Sequence, residues 1–149
     1  MLELGQASYV LDGDNIRHGL NRDLGFLPAE RTENIRRIAE VARLMNDAGL
    51  IAISAFISPY RDDRELARNV IGAKNFIEVH VCTQLYVCER RDTKGFYKRA
   101  RAGEMPEFTG ISAPYEPPLN PALSLDTDII GIDSSIDAIL TVLAPRIKV

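Results

Sequence analysis

The chain has 149 residues, of which 46% are hydrophobic and 26% are charged, and its formal net charge is −3 at pH 7. This size and composition are typical of one soluble globular domain, which we place at residues 1–149. The acidic balance argues against a nucleic-acid-binding surface, and no apolar run approaches the roughly 20 residues of a membrane span. Cys82 and Cys88 lack a CxxC spacing, so reduced thiols in a cytoplasmic protein are favoured over a disulfide or a metal site.

The first third of the chain predicts a helix end, a strand and a long helix. Residues 1–6 are predicted to end a helix, with Gly5 just after its last turn. Residues 7–11 form a short apolar run that predicts a buried strand. Residues 15–30 are punctuated by glycine and proline and are predicted to be irregular. Residues 32–48 place apolar side chains at helical spacing, so a helix is predicted there.

The middle of the chain continues this alternation. Residues 50–56 are a continuous apolar run, which predicts a strand buried on both faces. Residues 62–71 return to helical spacing, and residues 76–81 predict a third strand. Residues 83–90 and 95–102 predict two short helices around a turn.

The last third of the chain contains a long proline-rich stretch. Residues 103–123 hold five prolines, and a functional lid is favoured over a linker because periodic structure resumes after them. Residues 124–127 predict a last short strand. Residues 135–143 predict a closing helix whose buried face carries Ile136, Ile139, Leu140 and Leu143.

Strands that alternate with helices predict an α/β fold with a mostly parallel sheet flanked by helices. In such sheets, ligands bind outside the carboxyl ends of the strands. The polar run Asp12–Arg17 follows the first predicted strand, and Ser58 follows the second. The sequence therefore predicts a ligand site that these two segments share.

Asp12 and Asp14 are separated only by Gly13, which allows the chain to turn between them. One carboxylate could orient backbone groups while the other accepts a hydroxyl proton or holds water on Mg²⁺. The alternative is a simple Asp-Gly turn at the end of a strand. The spacing alone leaves both interpretations open.

Three side chains could converge on an anion. Arg31 and Asn34 are three residues apart, which places them on one helix face, and Arg17 follows the aspartates. A solvated first helical turn is the alternative. Phe26 and Phe108 stand in glycine- or proline-rich segments, where an aromatic ring either stacks on a nucleobase or anchors a loop on the core.

A local basic cluster stands out in this acidic protein. Its members are Arg90, Arg91, Lys94, Lys98, Arg99 and Arg101. Arginine and lysine clamps stabilise the charge that spreads over a transferring phosphoryl group. A solvated helix face is the equal alternative.

One familiar phosphate-binding motif is absent from these residues. No Gly-x-x-x-x-Gly-Lys-Ser/Thr occurs, because no two of the 10 glycines are five positions apart. The motifs present thus indicate the substrate half of a phosphoryl-transfer site.

Taken together, the motifs resemble those of the adenylylsulfate kinase (APS kinase) family. The matching segments run over residues 11–21, 34–42, 56–60, 94–103 and 108–111, beginning with Leu-Asp-Gly-Asp-Asn-Ile-Arg-His-Gly-Leu-Asn and ending with Phe-Thr-Gly-Ile. The similarity extends from about residue 5 to residue 145. It implies a P-loop-kinase-like parallel sheet and the ATP-dependent phosphorylation of the 3′-hydroxyl of adenosine 5′-phosphosulfate (APS) in sulfate assimilation, with Mg²⁺ and in the cytoplasm.

The resemblance also implies roles for individual residues. Asp14 is the implied base and the carboxylate on the magnesium side, and Asp12 and Asn15 beside it are implied substrate-binding residues. The implied APS pocket comprises Arg17, Phe26, Arg31, Asn34, Ile57, Ser58, Lys94 and Phe108, with the two phenylalanines around the adenine. The serine matching Ser58 is described in bacterial members as a phospho-acceptor, but in-line transfer between two bound nucleotides needs no covalent enzyme intermediate, which favours binding. Lys98, Arg99 and Arg101 belong to an implied lid over ATP, at about residues 91–123, and family members are implied homodimers.

The chain departs from the family pattern at its amino end. Family members have a strand, a phosphate-binding loop and a helix before the strand that leads to Asp12, and 11 residues are too few for all three. We therefore expect an APS kinase truncated at the amino terminus and inactive as these 149 residues alone. The alternatives are a non-catalytic APS- or nucleotide-binding remnant, a partner subunit, or a related kinase of another small molecule.

Overall fold

The computed structural model describes residues 5–147. Their backbone contacts divide them into two compact units, 5–76 and 77–147. Each unit contains its own two-stranded parallel sheet with helices. The α/β class with parallel strands and flanking helices is therefore confirmed. No helix within residues 5–147 is both long and apolar enough to cross a membrane.

The first unit is a strand–helix–helix–strand–helix arrangement. Strand β1, Ser8–Asp12, pairs in parallel with β2, Ile51–Ala55, and the register joins the two strands along their whole length. The helices are α1, Gly13–Arg17, α2, Pro28–Asp47, and α3, Arg61–Ile71. The ends of β1 and β2 thus lie side by side, and the segments that follow them start from the same edge.

The core of this unit lies between α2 and one face of the sheet. Leu11 of β1 is 2% exposed and packs with Ile38 and Ala42 of α2. A second cluster joins Ala39 of α2 to Ala67 of α3. These contacts fix the carboxyl end of β1, because Leu11 directly precedes the polar run.

Helix α2 begins earlier than its apolar spacing predicts. The predicted start was residue 32, and the observed start is Pro28. Proline is well suited to the first helical position, because the backbone N–H that it lacks would have no partner there. The Glu30 carboxylate accepts a hydrogen bond from the backbone N–H of Leu27 at 2.9 Å. The prediction of irregular structure over residues 15–30 was also partly wrong, since α1 extends to Arg17.

The prediction that the second strand is buried on both faces was wrong. Val10 and Ile53 are register partners on β1 and β2, and their side chains are 56% and 42% exposed. The helices of this unit pack on the opposite face, which carries Leu11 and Ala52. A continuous apolar run therefore does not reveal that only one face is covered within the unit.

The second unit contains β3, Val79–Val81, paired in parallel with β4, Leu123–Leu125. Its helices are α4, Leu85–Arg91, α5, Phe96–Arg101, and α6, Ile132–Leu143, which continues into a 3₁₀ turn. These elements confirm the predicted order, with boundaries shifted by one to three residues.

The predicted buried face of the closing helix was wrong. No residue of α6 is buried, and Ile136 and Ile139 remain 48% and 36% exposed. Among elements of the described residues, α6 makes its main contacts with β4 and the 3₁₀ turn that follows it. An amphipathic pattern predicts which face is apolar but not how much of it a neighbour covers.

The predicted helix end at residues 1–6 falls largely on residues 1–4, which lie outside the described part of the chain. Gly5 has a φ of +67°, the left-handed conformation expected of a residue that follows a helix.

Candidate active site

The Asp12 carboxylate shapes the start of the site. Its Oδ1 accepts hydrogen bonds from the backbone N–H groups of Asp14 at 3.0 Å and Asn15 at 3.3 Å. Asp12 is therefore the N-cap of α1. This cap fixes the turn at Gly13 and holds Asp14 in the exposed first turn of the helix, so the two carboxylates have different surroundings.

A cavity of about 230 Å³ opens at the carboxyl ends of β1 and β2. It is lined by Asp12, Gly13, Asp14, Arg17, Phe26, Arg31, Asn34, Ala55, Phe56 and Ile57. Two carboxylates, two guanidinium groups, an amide and two aromatic rings thus share one small space. Of the predicted site residues in the first unit, Asn15 and Ser58 do not line it.

Two arginines hold the loop that carries Phe26. Arg17 Nη1 donates to the carbonyl oxygens of Leu24 at 2.8 Å and Gly25 at 3.0 Å. Arg31 Nε donates to the Phe26 carbonyl at 2.9 Å. The guanidinium carbons lie 4.3 Å and 5.5 Å from the Phe26 ring centroid. The ring is nevertheless 56% exposed, so it presents a flat apolar surface beside two positive charges.

Gly25 lies close to the Glu30 side chain of α2. A Cβ at this position would lie 2.6 Å from Glu30 Oε2, far inside contact distance. The same oxygen accepts the Leu27 backbone N–H at the start of α2. A larger residue at this position would therefore have to displace the end of the Glu30 side chain.

A second arginine network ties the preceding turn to α2. Arg37 donates to both Asp23 carboxylate oxygens, at 2.7 Å and 2.8 Å, and to the Leu20 carbonyl at 3.1 Å. Its Nε donates to Glu33 at 2.8 Å. Hydrogen bonds from Arg36 and then Arg37 lower the pKa of Glu33 to about 2. A hydrogen bond from Arg37 likewise lowers the pKa of Asp23.

Asn21 is a buried residue that contacts the site residue Asn34, and sequence reasoning gave it no role. It is 0% exposed, and its Nδ2 donates to Asn34 Oδ1 at 2.9 Å. Its backbone N–H donates to the Ile16 carbonyl at 3.0 Å. The only sequence signal was its place at the end of the Gly-Leu-Asn string. The contact itself joins residues 13 positions apart and needs the tertiary fold.

Ile57 and Ser58 continue from β2. Ile57 is 57% exposed and lines the cavity. Ser58 is half-buried, and its hydroxyl oxygen is buried without a hydrogen-bond partner among the described residues. Its carbonyl accepts a hydrogen bond from Arg64 Nη1 at 2.6 Å. Ser58 therefore follows the cavity residues in the chain without lining the cavity itself.

The second unit presents Phe108 on a tightly bonded loop. The Phe108 carbonyl accepts three backbone N–H groups, those of Ile111, Ser112 and Ala113, at 3.0–3.1 Å. The Phe108 N–H donates to Ser112 Oγ at 3.0 Å. The ring meets Tyr97 edge-on, with centroids 5.2 Å apart. The loop is therefore ordered by its own hydrogen bonds.

The basic cluster of the second unit is partly neutralised by ion pairs. Arg99 Nε lies 3.3 Å from Glu104, and Arg101 pairs with Glu89. Lys94 Nζ lies 5.9 Å from the Phe96 ring centroid, and the Lys98 side chain is exposed. Arg90 and Arg91 instead bind the turn after β4: Arg90 contacts Asp128 at 3.1 Å, and Arg91 contacts the Thr127 hydroxyl at 2.7 Å.

The structure thus gathers the predicted first-unit residues, except Asn15 and Ser58, around one cavity. Lys94, Lys98, Arg99, Arg101 and Phe108 belong to the second unit, on or beside α5 and the following loop. Within residues 5–147, no group of three or more histidine, cysteine or acidic side chains is placed to hold a metal.

Comparison with known proteins identifies the family. A family model described as adenylylsulphate kinase matches residues 1–126. The probable adenylyl-sulfate kinase of Halalkalibacterium halodurans is 55% identical over 139 residues, which cover 93% of this chain and 69% of that protein. The adenylyl-sulfate kinase of Staphylococcus epidermidis is 55% identical over 136 residues, 91% of this chain and 68% of the relative.

Solved structures agree with this assignment. The APS kinase of Mycobacterium tuberculosis in complex with AMPPNP and APS superposes with a TM-score of 0.91 at 49% identity, covering 96% of this chain and 83% of that one. The hexameric APS kinase of Thiobacillus denitrificans gives a TM-score of 0.67 at 32% identity, over 95% of this chain and 23% of that one. The motifs, the fold and the relatives converge, and the chain belongs to the adenylylsulfate kinase family.

Proposed function

We propose that this domain binds adenosine 5′-phosphosulfate and presents its 3′-hydroxyl to the γ-phosphate of ATP, giving 3′-phosphoadenosine 5′-phosphosulfate. The observation that carries this proposal is the single cavity in which the Asp14 carboxylate, the guanidinium groups of Arg17 and Arg31, and the Phe26 ring meet. Binding and phosphorylation of an anionic nucleotide require positive charge, an aromatic surface on which the nucleobase stacks, and a general base that accepts the hydroxyl proton. The two units act in this proposal as one domain, residues 1–149.

Substrate binding would divide between charge and stacking. Among its contacts with described residues, Arg17 uses Nη1 on loop carbonyls, which leaves its other donors for the phosphosulfate. Arg31 and Asn34 would complete the anion site. Phe26 would stack on the adenine, with Phe108 as the second ring and Ile57, Ser58 and Lys94 at the edges. Asp12 and Asn15 would act through the α1 turn, which holds Asp14 in place.

The chemistry would centre on Asp14. Its carboxylate would accept the proton of the 3′-hydroxyl while that oxygen attacks the γ-phosphorus, and the bond to the β-phosphate oxygen breaks to release ADP. The Asp14 carboxylate fits Mg²⁺, because this ion is commonly held by one or two carboxylates together with water and substrate phosphates. When bound on the Asp14 side, the ion would supply charge neutralisation at the phosphates. Ser58 would serve binding and not covalent transfer.

The basic residues of the second unit would supply the lid, at about residues 91–123. Arg99 now pairs with Glu104, and both side chains are more than half exposed. Such exposed pairs contribute little, about 0–1 kcal/mol, so exchanging the carboxylate for an ATP phosphate carries a low cost. Lys98 and Arg101 would bind the ATP phosphates together with Arg99. We further propose a homodimer that works in the cytoplasm, where ATP is available.

A second candidate function is non-catalytic binding of APS by these residues alone. It is favoured by one observation, the absence of a Gly-x-x-x-x-Gly-Lys-Ser/Thr motif from the 149 residues. Phosphoryl transfer depends mostly on positioning and charge stabilisation, so a missing cradle for the ATP phosphates costs several orders of magnitude in rate.

The test is to titrate the 149-residue chain with APS by calorimetry and to assay transfer from ATP with Mg²⁺. We expect saturable APS binding and negligible transfer. Failure to bind APS would overturn the proposed substrate. Turnover of about 1 per second or more, within the usual kinase range, would instead overturn the hypothesis that these residues bind APS without catalysis.

A further inference from the structure

Two buried asparagines form a hydrogen bond beside the cavity at the ends of β1 and β2. Asn21 is 0% exposed and Asn34 is 5% exposed. Asn21 Nδ2 donates to Asn34 Oδ1 at 2.9 Å. Asn34 lines the cavity, whereas Asn21 does not. The pair therefore links a residue without access to the ligand to one that has it.

The direction of this hydrogen bond decides what Asn34 offers a ligand. A side-chain amide has an acceptor end and a donor end. Because Asn21 engages Oδ1, the Nδ2 group is the end of Asn34 left to face the cavity. Beside Arg17 and Arg31, a third donor suits an anion, whereas a carbonyl oxygen in that place would repel it.

The backbone keeps Asn21 in position for this task. Its N–H donates to the Ile16 carbonyl at the end of α1, and its carbonyl accepts the Leu24 N–H at 3.1 Å. The adjacent Leu20 carbonyl accepts a hydrogen bond from Arg37 of α2. The turn that carries Asn21 is thus tied to both α1 and α2.

We propose that Asn21 is a positioning residue that sets the orientation of the Asn34 amide, so that its N–H₂ group faces the phosphosulfate of the nucleotide. The inference rests on the proposed function for the identity of the ligand. It assigns to a buried residue, with no contact to the cavity, a share in substrate affinity.

The first test compares APS affinity among variants of the 149-residue chain by calorimetry. Asn21→Leu keeps the volume but removes the donor, so the bound orientation would leave a buried carbonyl oxygen unpaired. We expect the Kd for APS to rise about 5- to 100-fold. The matched control is Leu20→Ala, which changes the neighbouring side chain in the same turn and should alter Kd less than about twofold.

A double-mutant cycle separates positioning from general damage. If Asn21 acts through Asn34, then adding Asn21→Leu to an Asn34→Leu chain should change Kd by less than about twofold. An Asn21→Leu effect of the same size in both backgrounds would overturn the proposal, as would an unchanged Kd in the single variant.

A spectroscopic readout needs neither ligand nor a stable Asn21 variant. In the unaltered chain with ¹⁵N-labelled asparagine, the side-chain amide protons of Asn21 should exchange slowly with water, and Asn34→Leu should abolish that protection. Protection of the Asn34 amide with rapid exchange at Asn21 would show the opposite orientation and overturn the inference. If the unaltered chain binds no APS, the proposed function fails, while this measurement still decides whether Asn21 sets the orientation of the Asn34 amide.

Discussion

Replacing Phe26 with alanine should separate ligand binding from stability more cleanly than any other change in the cavity. The ring is 56% exposed, so it contributes little to the core. Its main contacts are the guanidinium groups of Arg17 and Arg31. At exposed sites such contacts contribute about 0.5–1 kcal/mol each, and we expect the free energy of unfolding to fall by about 1 kcal/mol.

The expected loss of affinity is larger. Stacking of one base on an aromatic side chain contributes about 1–3 kcal/mol, which corresponds to a rise of about 5- to 150-fold in the Kd for APS. The arginines would also lose the ring that orders them, and this effect acts in the same direction. Affinity for an anion that carries no base, such as inorganic sulfate, should change much less.

The assay is calorimetric titration with APS, paired with urea unfolding of the same samples. Leu27→Ala is the matched control, because Leu27 is adjacent and 59% exposed but does not line the cavity. Its Kd should stay within about twofold of the unaltered chain. If Phe26→Ala and Leu27→Ala change the Kd equally, or if Phe26→Ala leaves it unchanged, the stacking assignment is wrong.

Three further predictions concern the core, the ion pairs and the proposed role of Asp14. Leu11→Ala should lower the free energy of unfolding by about 2–4 kcal/mol, because it opens a cavity in the core between α2 and the sheet. The control Leu44→Ala, on the exposed face of α2, should change this free energy by about 0.5 kcal/mol or less. Equal effects of the two substitutions in urea unfolding would contradict this packing. Hydrogen bonds from Arg36 and then Arg37 lower the pKa of Glu33 in the folded chain from 4.5 to about 2. The ionised Glu33 therefore stabilises the fold above pH 4.5, and this contribution is lost as the pH falls toward 2. The melting temperature of Glu33→Gln should therefore depend less on pH in that window, and an unchanged dependence would argue against the pairing. In a form of the protein that transfers phosphate from ATP to APS, Asp14→Asn should lower kcat about 10²–10⁴-fold; near-normal kcat would exclude Asp14 as the base.

The sequence by itself determined the family and the order of the strands and helices other than α1. Apolar runs and helical spacing predicted the order of strands and helices, because periodicity reflects which side of an element packs. The run Asp12–Arg17 and the segments that begin at Asn34 and Phe108 carried the resemblance, since they combine particular polar and aromatic residues at fixed spacing. Local spacing also placed Arg31 and Asn34 on one face of a helix, as the cavity requires.

Only the tertiary structure decided which faces are covered and which polar groups meet. The apolar runs of β1 and β2 gave no sign that Val10 and Ile53 stay exposed, because burial depends on where the helices pack. The bonds from Arg17 to the Gly25 carbonyl and from Asn21 to Asn34 join residues 8 and 13 positions apart. No local pattern encodes such contacts. They exist because the turn after α1 folds back onto α2, and that path is fixed only when the whole unit has packed.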